Sequence, residues 1–315
     1  MSCNDDRQPT FDADDVARPN STGRSDWAGM LARARAAVFR QDAPGAHPSD
    51  ESDAHPIDAH GSHLSDAPGA HPSDERDAHL SENGSACAVR PALLHAENVS
   101  LTYPGPIPVH ALSDVNLAVA HGERIALIGP SGAGKSSLLN ILGLLDTPTA
   151  GEYRIAGRRT AAASEKERAH LRSTWFGFIF QAFHLLDRRS VLDNVRLGMF
   201  FSPIPTDEWD DRAADALETV GLAHRIRTQA RLLSGGERQR AAIARAVVHS
   251  PRVLMADEPT GNLDSRNSER ILELLASLHQ PDGAQIIVTH DEDVAAQMDR
   301  AVTVFDGTVS NAATD

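Results

Sequence analysis

The sequence predicts an α/β fold built on a mostly parallel β-sheet. Three short runs, residues 125–128, 252–256 and 285–289, consist almost wholly of apolar side chains. Such runs are typical of central strands in a parallel sheet, because helices cover both of its faces. Segments of helical character, among them residues 238–248 and 267–278, lie between the runs. Strands that alternate with helices along the chain indicate a layered α/β core.

The first 90 residues differ from the rest, and we expect a disordered acidic tail there. They carry 16 acidic and 8 basic side chains, many Ser, Pro, Gly and His residues, and few large apolar ones. A ten-residue segment at 42–51 recurs at 66–75, a period of 24 residues. The repeat has no apolar face of the kind that a solenoid stacks, which favours a solvated linker. Residues 91–315 are then expected to form the folded domain.

Two features of the tail leave alternatives open. Residues 25–40 have the apolar spacing of a helix, which is either a docking helix for a membrane surface or partner, or a short marginal helix without a role. Six histidines of the tail are either loose ligands of a transition metal or solvated side chains. They are His47, His55, His60, His63, His71 and His79.

Charge, cysteine content and hydropathy exclude several classes of protein. The net charge of −14 divides into −8 in the tail and −6 in the rest, so we predict no nucleic-acid partner. Both cysteines, Cys3 and Cys87, lie in the tail, so no disulfide framework is predicted and the composition fits a reducing compartment. No stretch approaches the roughly 20 apolar residues of a membrane span, and no secretory signal is recognisable at Met1. A membrane role would therefore require a partner chain.

The two ends of the folded domain are expected to contain antiparallel strands. Residues 94–103 and 115–119 alternate between apolar and polar side chains, with the period of two typical of half-buried strands. Residues 302–309 alternate around an Asp-Gly pair, which predicts a terminal hairpin.

A glycine-rich segment follows the apolar strand at 125–128. Residues 129–136, here called the phosphate loop, read Gly-Pro-Ser-Gly-Ala-Gly-Lys-Ser and match G-x-x-x-x-G-K-S. Glycines let backbone N–H groups surround phosphates, Lys135 adds a positive charge, and the Ser136 hydroxyl is a Mg²⁺ ligand. This pattern predicts a P-loop NTPase core of the RecA-like type that binds a nucleoside triphosphate with Mg²⁺. The predicted nucleotide-binding residues here are Gly129, Pro130, Ser131, Gly132, Ala133, Gly134, Lys135, Ser136 and Ser137.

Further motifs narrow the family. Residues 233–240, here called the signature segment, read Leu-Ser-Gly-Gly-Glu-Arg-Gln-Arg, and residues 253–260 read Val-Leu-Met-Ala-Asp-Glu-Pro-Thr. Gln181, Asp264 and His290 occur around them in the order found in ABC-type ATPases. The chain from about residue 93 to 309 therefore resembles the ATP-binding subunit of ABC transporters. The resemblance implies an antiparallel β-subdomain and an α-helical subdomain, the latter at about 182–248.

The resemblance also implies a role for individual residues. Asp257, at the end of an apolar strand, is expected to hold Mg²⁺ together with Ser136 and Gln181. Glu258 is expected to be the general base that polarises the attacking water, or else a second carboxylate near Mg²⁺. The implied catalytic residues are Glu258, His290, Gln181 and Lys135.

Three of the implied roles have plain structural alternatives. His290 is expected to contact the γ-phosphate, or else to cap a strand. Gln181 is expected to order the attacking water, or else to be an ordinary loop glutamine. Tyr103 is expected to stack on adenine, or else to be a half-buried strand residue. Because no Asn-Lys-x-Asp segment for reading guanine occurs, ATP is favoured over GTP.

The signature segment is expected to form a second anion site. Ser234, Gly235 and Gly236 precede a helix, whose N-terminus favours an anion. The resemblance implies that this site faces the γ-phosphate held by an opposing copy, so that two copies enclose two ATP molecules. Asp264 is also assigned to nucleotide binding on this basis.

Residues 142–152, 172–186 and 193–195 resemble the macrolide-exporter and lipoprotein-releasing branch of the family. The implied function is an ATPase that powers a separate integral-membrane permease of exporter type, from the inner face of the cell membrane. Two departures concern partner contacts: Ala230 stands where a proline is common, and residues 196–205 differ from the usual pattern. An ATPase of a non-transport membrane complex, such as one in cell-division signalling, and a non-catalytic ATP-binding regulator are the alternatives.

Overall fold

The structure is a computed structural model that describes residues 92–311. The acidic tail lies outside the described residues, together with its repeat, its histidines, both cysteines and the helix predicted at 25–40. The boundary near residue 90 therefore stays a prediction. Among the helices of the described part, none has both the length and the apolar character that a membrane crossing requires.

Residues 92–311 form two β-sheets and a set of helices. The strands are β1 Ala92–Tyr103, β2 Val109–Ala120, β3 Glu123–Ile128, β4 Ala150–Ile155, β5 Arg158–Arg159, β6 Phe176–Phe180, β7 Val253–Asp257, β8 Ala284–Val288, β9 Arg300–Phe305 and β10 Thr308–Asn311. The α-helices are α1 Lys135–Leu142, α2 Glu165–Trp175, α3 Val191–Arg196, α4 Trp209–Thr219, α5 Gly235–Val247, α6 Ser265–Ser277 and α7 Glu292–Ala296. Short 3₁₀ helices cover Leu197–Met199, Thr206–Glu208, Ala223–Arg225 and Ala230–Leu232.

The larger sheet has the strand order β10-β9-β3-β8-β7-β6. Strands β9, β3, β8, β7 and β6 are parallel, and β10 pairs with β9 in the antiparallel sense. The predicted parallel sheet, its three apolar strands and the terminal hairpin are confirmed. The crossover connections place the carboxyl ends of β3, β7 and β8 at one edge, where ligands bind in open α/β sheets.

Neighbouring residues on the same central strand belong to different hydrophobic cores. Met255 and Ile286 pack with the smaller sheet, α1 and α2, whereas Leu254 and Ile287 pack with the helices α3 to α6. All four side chains are buried. Burial on both faces of the sheet explains why these strands are apolar without alternation.

The smaller sheet is antiparallel, with the order β2-β1-β4-β5. On β2 the side chains of Val115, Leu117 and Val119 are buried, and those between them are exposed. The period-two prediction is confirmed for β2, which begins earlier than predicted, at Val109. Strand β1 forms as predicted, but its alternation is interrupted at Glu97 and Asn98, which are both exposed. No local run predicts β4 and β5, which depend on pairing with distant partners. Strand β6 was not predicted either, although residues 176–180 read Phe-Gly-Phe-Ile-Phe, an apolar run.

Two helices begin earlier than their apolar pattern indicates, because capping residues extend them. The Ser234 hydroxyl accepts a hydrogen bond from Glu237 N and so starts α5 at Gly235. Asp264 accepts one from Asn267 N and starts α6. A helical subdomain is expected at about 182–248, and that range contains α3, α4, α5 and the four 3₁₀ helices. The limits of the subdomain stay a prediction.

Candidate nucleotide-binding site

The phosphate loop joins β3 to α1 and has a backbone that glycine alone fits. Gly129 has a φ of +145°, and a Cβ there would lie 2.0 Å from the carbonyl oxygen of Val304. Gly134, the N-cap of α1, has a φ of +102°, and its Cβ would lie 2.6 Å from the carbonyl oxygen of Ala111. No side chain caps α1. Its first N–H groups are therefore available to an anion.

The other loop residues complete the turn. Pro130, Ser131 and Gly132 are at least partly exposed, with Gly132 at a φ of +80°. Ala133 is buried, and its carbonyl oxygen accepts a hydrogen bond from Gly307 N at 2.9 Å. The tip of the loop thus faces outward while its ends are held by the β9–β10 hairpin.

The Lys135 ammonium group lies inside the loop. Its Nζ donates hydrogen bonds to the carbonyl oxygens of Gly129 and Pro130, both at 2.8 Å, and the residue is only 8% exposed. The loop therefore holds a positive charge at its own centre. Phosphate oxygens are negatively charged and accept hydrogen bonds from an ammonium group more strongly than neutral carbonyls do, so a bound phosphate would compete with these carbonyls for Lys135.

Ser136 and Asp257 meet across the edge of the large sheet. The Ser136 Oγ donates to Asp257 Oδ2 at 3.3 Å. Burial raises the pKa of Asp257 above its usual range, and the nearby Glu258 carboxylate raises it further, while Ser136 and Lys135 oppose the shift. A hydroxyl and a carboxylate are hard oxygen donors, and a partly desolvated carboxylate gains from a cation. This donor pair therefore fits Mg²⁺.

Glu258, His290 and Gln181 converge beside this pair. The Nδ1 of His290 lies 3.3 Å from Oε1 of Glu258. A Cβ on Gly261 would lie 2.8 Å from Nε2 of Gln181 and 3.4 Å from Oε2 of Glu258, so both side chains approach the same glycine. Glu258 has a φ of +44°, and its N–H donates to the carbonyl oxygen of Val288. This backbone conformation is unfavourable for a residue with a side chain, and such strain is concentrated at functional sites.

Tyr103 lies at the end of β1, near the start of α1. Its hydroxyl donates to Asp146 Oδ2 at 2.9 Å, and Ser137 is a further hydrogen-bonding neighbour. Partial burial is the main cause that raises the pKa of Tyr103. The residue is 37% exposed, which leaves ring surface open beside the phosphate loop.

The signature segment lies against the residues that follow Glu258. A Cβ on Gly236 would lie 3.0 Å from Oδ1 of Asn267, and one on Gly235 would lie 3.7 Å from the side chain of Leu263. Asp264 caps α6 through Asn267, whose backbone hydrogen bond is the main cause of the lowered pKa of Asp264. Within one copy, Asp264 therefore has a structural role as well as the one that the resemblance implies.

The hydroxyl of Ser234 is engaged in a capping box. It donates to Oε2 of Glu237 at 2.9 Å and accepts from the backbone N–H of Glu237. Oε1 of Glu237 accepts from Nε of Arg225 at 3.1 Å. The helix N-terminus that was predicted as an anion site thus already carries a carboxylate, which Arg225 neutralises.

Two polar residues outside the predicted set donate hydrogen bonds to backbone carbonyls of the site. Gln239 of α5 is fully buried, and its Nε2 donates to the carbonyl oxygen of Pro259 at 2.7 Å. Asn262 donates to the carbonyl oxygen of Gln181 at 2.9 Å. A signal for Gln239 exists, since it shares a buried helical face with Ala242 and Ala246. Asn262 carries no comparable signal.

Comparisons with known proteins agree with this geometry. A family model described as ABC transporter matches residues 112–261. The uncharacterized ABC transporter ATP-binding protein YvrO of Bacillus subtilis is 45% identical over 216 residues, which cover 68% of this chain and 94% of YvrO. The chain belongs to the family of ABC transporter ATP-binding proteins. The resemblance found in the sequence is thereby confirmed.

The relatives also include longer proteins. The macrolide export ATP-binding/permease protein MacB of Chlorobium luteolum is 50% identical over 218 residues, which cover 69% of this chain and 33% of MacB. The chain thus spans about a third of the length of such relatives. The resemblance to the macrolide-exporter branch is confirmed at this level.

A solved structure shares the fold. The dimeric structure of MJ0796, a bacterial ABC transporter cassette, has a TM-score of 0.64 and 38% sequence identity, and the match covers 69% of this chain and 96% of that one. A second structure of that cassette is a dimeric post-hydrolysis state bound to ADP and Pi. The predicted P-loop α/β fold is therefore confirmed.

Proposed function

We propose that this chain is the ATP-hydrolysing subunit of an ABC transporter of exporter type, which powers a separate integral-membrane permease. The observation that carries the proposal is the grouping of Lys135, Ser136, Asp257 and Glu258 at one sheet edge, with Gln181 and His290 beside Glu258. ATP and water would be converted to ADP and phosphate there.

The phosphate loop would bind the triphosphate. Its N–H groups and the uncapped start of α1 would donate to phosphate oxygens, and Lys135 would exchange two loop carbonyls for the outer phosphates. Ser136 and Asp257, with Gln181, would hold Mg²⁺. When bound, Mg²⁺ supplies positive charge against the oxygens of the transferring phosphoryl group. Tyr103 would stack on the adenine.

Glu258 would act on the attacking water. Its carboxylate accepts a proton from the water as the oxygen bonds to the γ-phosphorus and the bond to the leaving ADP oxygen breaks. His290, whose Nδ1 lies 3.3 Å from Oε1 of Glu258, would orient that carboxylate and contact the γ-phosphate. The loop N–H groups and Lys135 then stabilise charge on the transferring group, which is an electrostatic contribution.

The signature segment would act on a second copy of the chain. In one copy Gly235 lies near the side chain of Leu263 and Gly236 near that of Asn267, and the segment would complete the site of an opposing copy. ATP bound between the copies stabilises the closed dimer, because the closed state binds ATP more tightly than the open state does. Hydrolysis removes this contact and lets the two copies separate. Support comes from the MJ0796 cassette, whose structures are dimers.

Exposed apolar residues of the helical region would contact the permease. Leu186, Leu197, Phe200 and Phe201 are 50%, 43%, 59% and 74% exposed, and all lie in the helical region. Apolar surface of this kind on one region is typical of a protein interface. Through such a contact the chain would sit at the inner face of the cell membrane. Relatives that support an export role are named for macrolide and pyoverdine export.

The decisive test uses Glu258→Gln, which keeps the shape of the side chain but removes the base. With ATP and Mg²⁺, gel filtration should show a stable dimer of this variant, and the dimer should disappear when Ser234→Arg is added. Wild-type protein should hydrolyse ATP and show the dimer only transiently. A Glu258→Gln protein that binds ATP and stays monomeric would refute the sandwich mechanism.

The partner is tested separately. Wild-type protein expressed in cells should co-purify with an integral-membrane chain, and Phe201→Glu should abolish this association without changing ATP hydrolysis by the isolated protein. Active protein that never associates with membranes would refute the transport role.

A further inference from the structure

The segment that follows β6 has an unusual backbone. Phe183 and His184 are consecutive non-glycine residues with φ values of +59° and +49°. Side chains with a Cβ disfavour this left-handed conformation, and two in succession are rarer still. The two residues lie two and three positions after Gln181, in the turn that follows β6.

The side chain of Arg245, 61 residues further along, holds both strained residues. Its Nη2 donates to the carbonyl oxygen of Phe183 at 2.7 Å, and its Nη1 donates to the carbonyl oxygen of His184. Burial lowers the pKa of Arg245. A partly desolvated guanidinium needs strong acceptors, and here two backbone carbonyls serve.

Close packing holds the backbone of α5 in place at Arg245. Arg245 lies in the last turn of α5, and a Cβ on Gly198 would lie 2.2 Å from its carbonyl oxygen, so the helix backbone packs directly on the Leu197–Met199 turn. The planar fork of a guanidinium addresses two carbonyls at once, which an ammonium group does not reproduce. Arg245 therefore sets the direction of both carbonyls relative to α5.

Other contacts pass this arrangement on to Gln181. The ring of His184 packs edge-on against Phe180 at 5.3 Å between centroids. Phe183 N donates to the carbonyl oxygen of Phe180 at 3.1 Å, and Asn262 donates to the carbonyl oxygen of Gln181. The turn is thus short, and hydrogen bonds hold it on both sides of Gln181.

We propose that Arg245 is a positioning residue that holds Phe183 and His184 in the left-handed conformation and thereby places Gln181 beside Glu258. Because Arg245 belongs to the helix that begins at Ser234, the clamp links the position of Gln181 to that of the signature segment. The proposal rests on the proposed function in one respect, the role of Gln181 in ATP hydrolysis.

The first test is physical and needs no activity. Arg245→Lys keeps the charge but loses the fork. Deuterium exchange in peptides that cover residues 181–186 should become about tenfold faster in this variant, while exchange in β7 and β8 stays unchanged. Unchanged exchange at 181–186 would overturn the clamp, whether or not the protein is an ATPase.

The second test uses glycine to replace the clamp. Phe183→Gly makes the left-handed conformation acceptable at one of the two positions without help, since glycine adopts positive φ freely, and it keeps the His184 ring against Phe180. In Arg245→Lys, kcat for ATP should fall about tenfold with KM within about threefold, because positioning and not ATP binding is lost. Adding Phe183→Gly should recover most of kcat. Ala156→Gly, at a position with a φ of +48° in the β4–β5 turn, is the matched control and should recover nothing.

The outcomes separate the two proposals. Faster exchange at 181–186 with unchanged kcat would overturn the link between the clamp and Gln181. Loss of kcat that Ala156→Gly repairs as well as Phe183→Gly would show a general stability effect and would also overturn the clamp. Wild-type protein without ATPase activity would refute the proposed function, while the exchange experiment still decides the clamp. Arg245→Gln replaces Arg245→Lys in both tests if the latter fails to fold.

Discussion

His249 is expected to make the stability of this fold depend on pH well above the range in which carboxylates titrate. The residue follows α5, and its Nε2 donates to the carbonyl oxygen of Phe176 at the start of β6, at 3.1 Å. Its Nδ1 is buried without a hydrogen-bond partner. Burial lowers the pKa of His249 to about 4 and outweighs the Phe176 hydrogen bond, which opposes the shift. The neutral ring is thus the form that the fold accepts.

The magnitude follows from the difference between the folded and unfolded pKa. Because the folded pKa is depressed, the stabilising contribution is complete above about pH 6.5 and is lost as the pH falls toward 4, where the unfolded chain binds the extra proton. For pKa values of 6.5 unfolded and about 4 folded, the free energy of unfolding falls by about 1.8 kcal/mol between pH 7 and pH 5.

The assay is urea unfolding followed by tryptophan fluorescence at pH 7, 6 and 5. His249→Gln retains a donor for the Phe176 carbonyl but does not titrate, so its loss between pH 7 and pH 5 should be smaller than that of wild type by about 1.8 kcal/mol. His224→Gln removes an exposed histidine and should behave as wild type. Equal pH dependence in wild type and His249→Gln would refute the reasoning.

Two further predictions concern the site, and a third concerns the tail. Gly129→Ala places a Cβ 2.0 Å from the Val304 carbonyl oxygen and should abolish ATP binding in equilibrium dialysis. Gly157→Ala is the control, because Gly157 also has a positive φ, +80°, but has open space around its Cβ position, and it should leave ATP binding intact. Equal loss of binding in both variants would contradict the steric argument. Arg225→Ala leaves the Glu237 carboxylate without its cation. In the Glu258→Gln background it should weaken the affinity of the ATP-dependent dimer about tenfold, measured by sedimentation, and Glu237→Gln should restore that affinity. A dimer affinity that does not depend on Arg225 would contradict this. Deletion of residues 1–88 should leave ATP turnover within about twofold, since the tail carries no catalytic motif, and loss of turnover would refute the linker reading.

The site was predicted where its parts are contiguous. The phosphate loop needs eight consecutive residues, and the order of the signature segment, Asp257, Glu258 and His290 along the chain identified the family. Strands β3, β7 and β8 were predicted because burial on both faces leaves a local apolar run. Strands β4 and β5 left no such run, and they form because β4 pairs with β1 and β5 with β4.

The amino-acid sequence by itself determined the ligand class, the family and the parallel core, because glycine conformations, apolar runs and caps are properties of neighbouring residues. Tertiary structure alone decided which distant groups meet. Ser136 reaches Asp257 across 121 positions, Tyr103 reaches Asp146 across 43, and Arg245 reaches Phe183 across 62. Such contacts are made by side chains on separate elements, and their geometry is set by how sheets and helices pack. No local pattern of residues specifies that geometry.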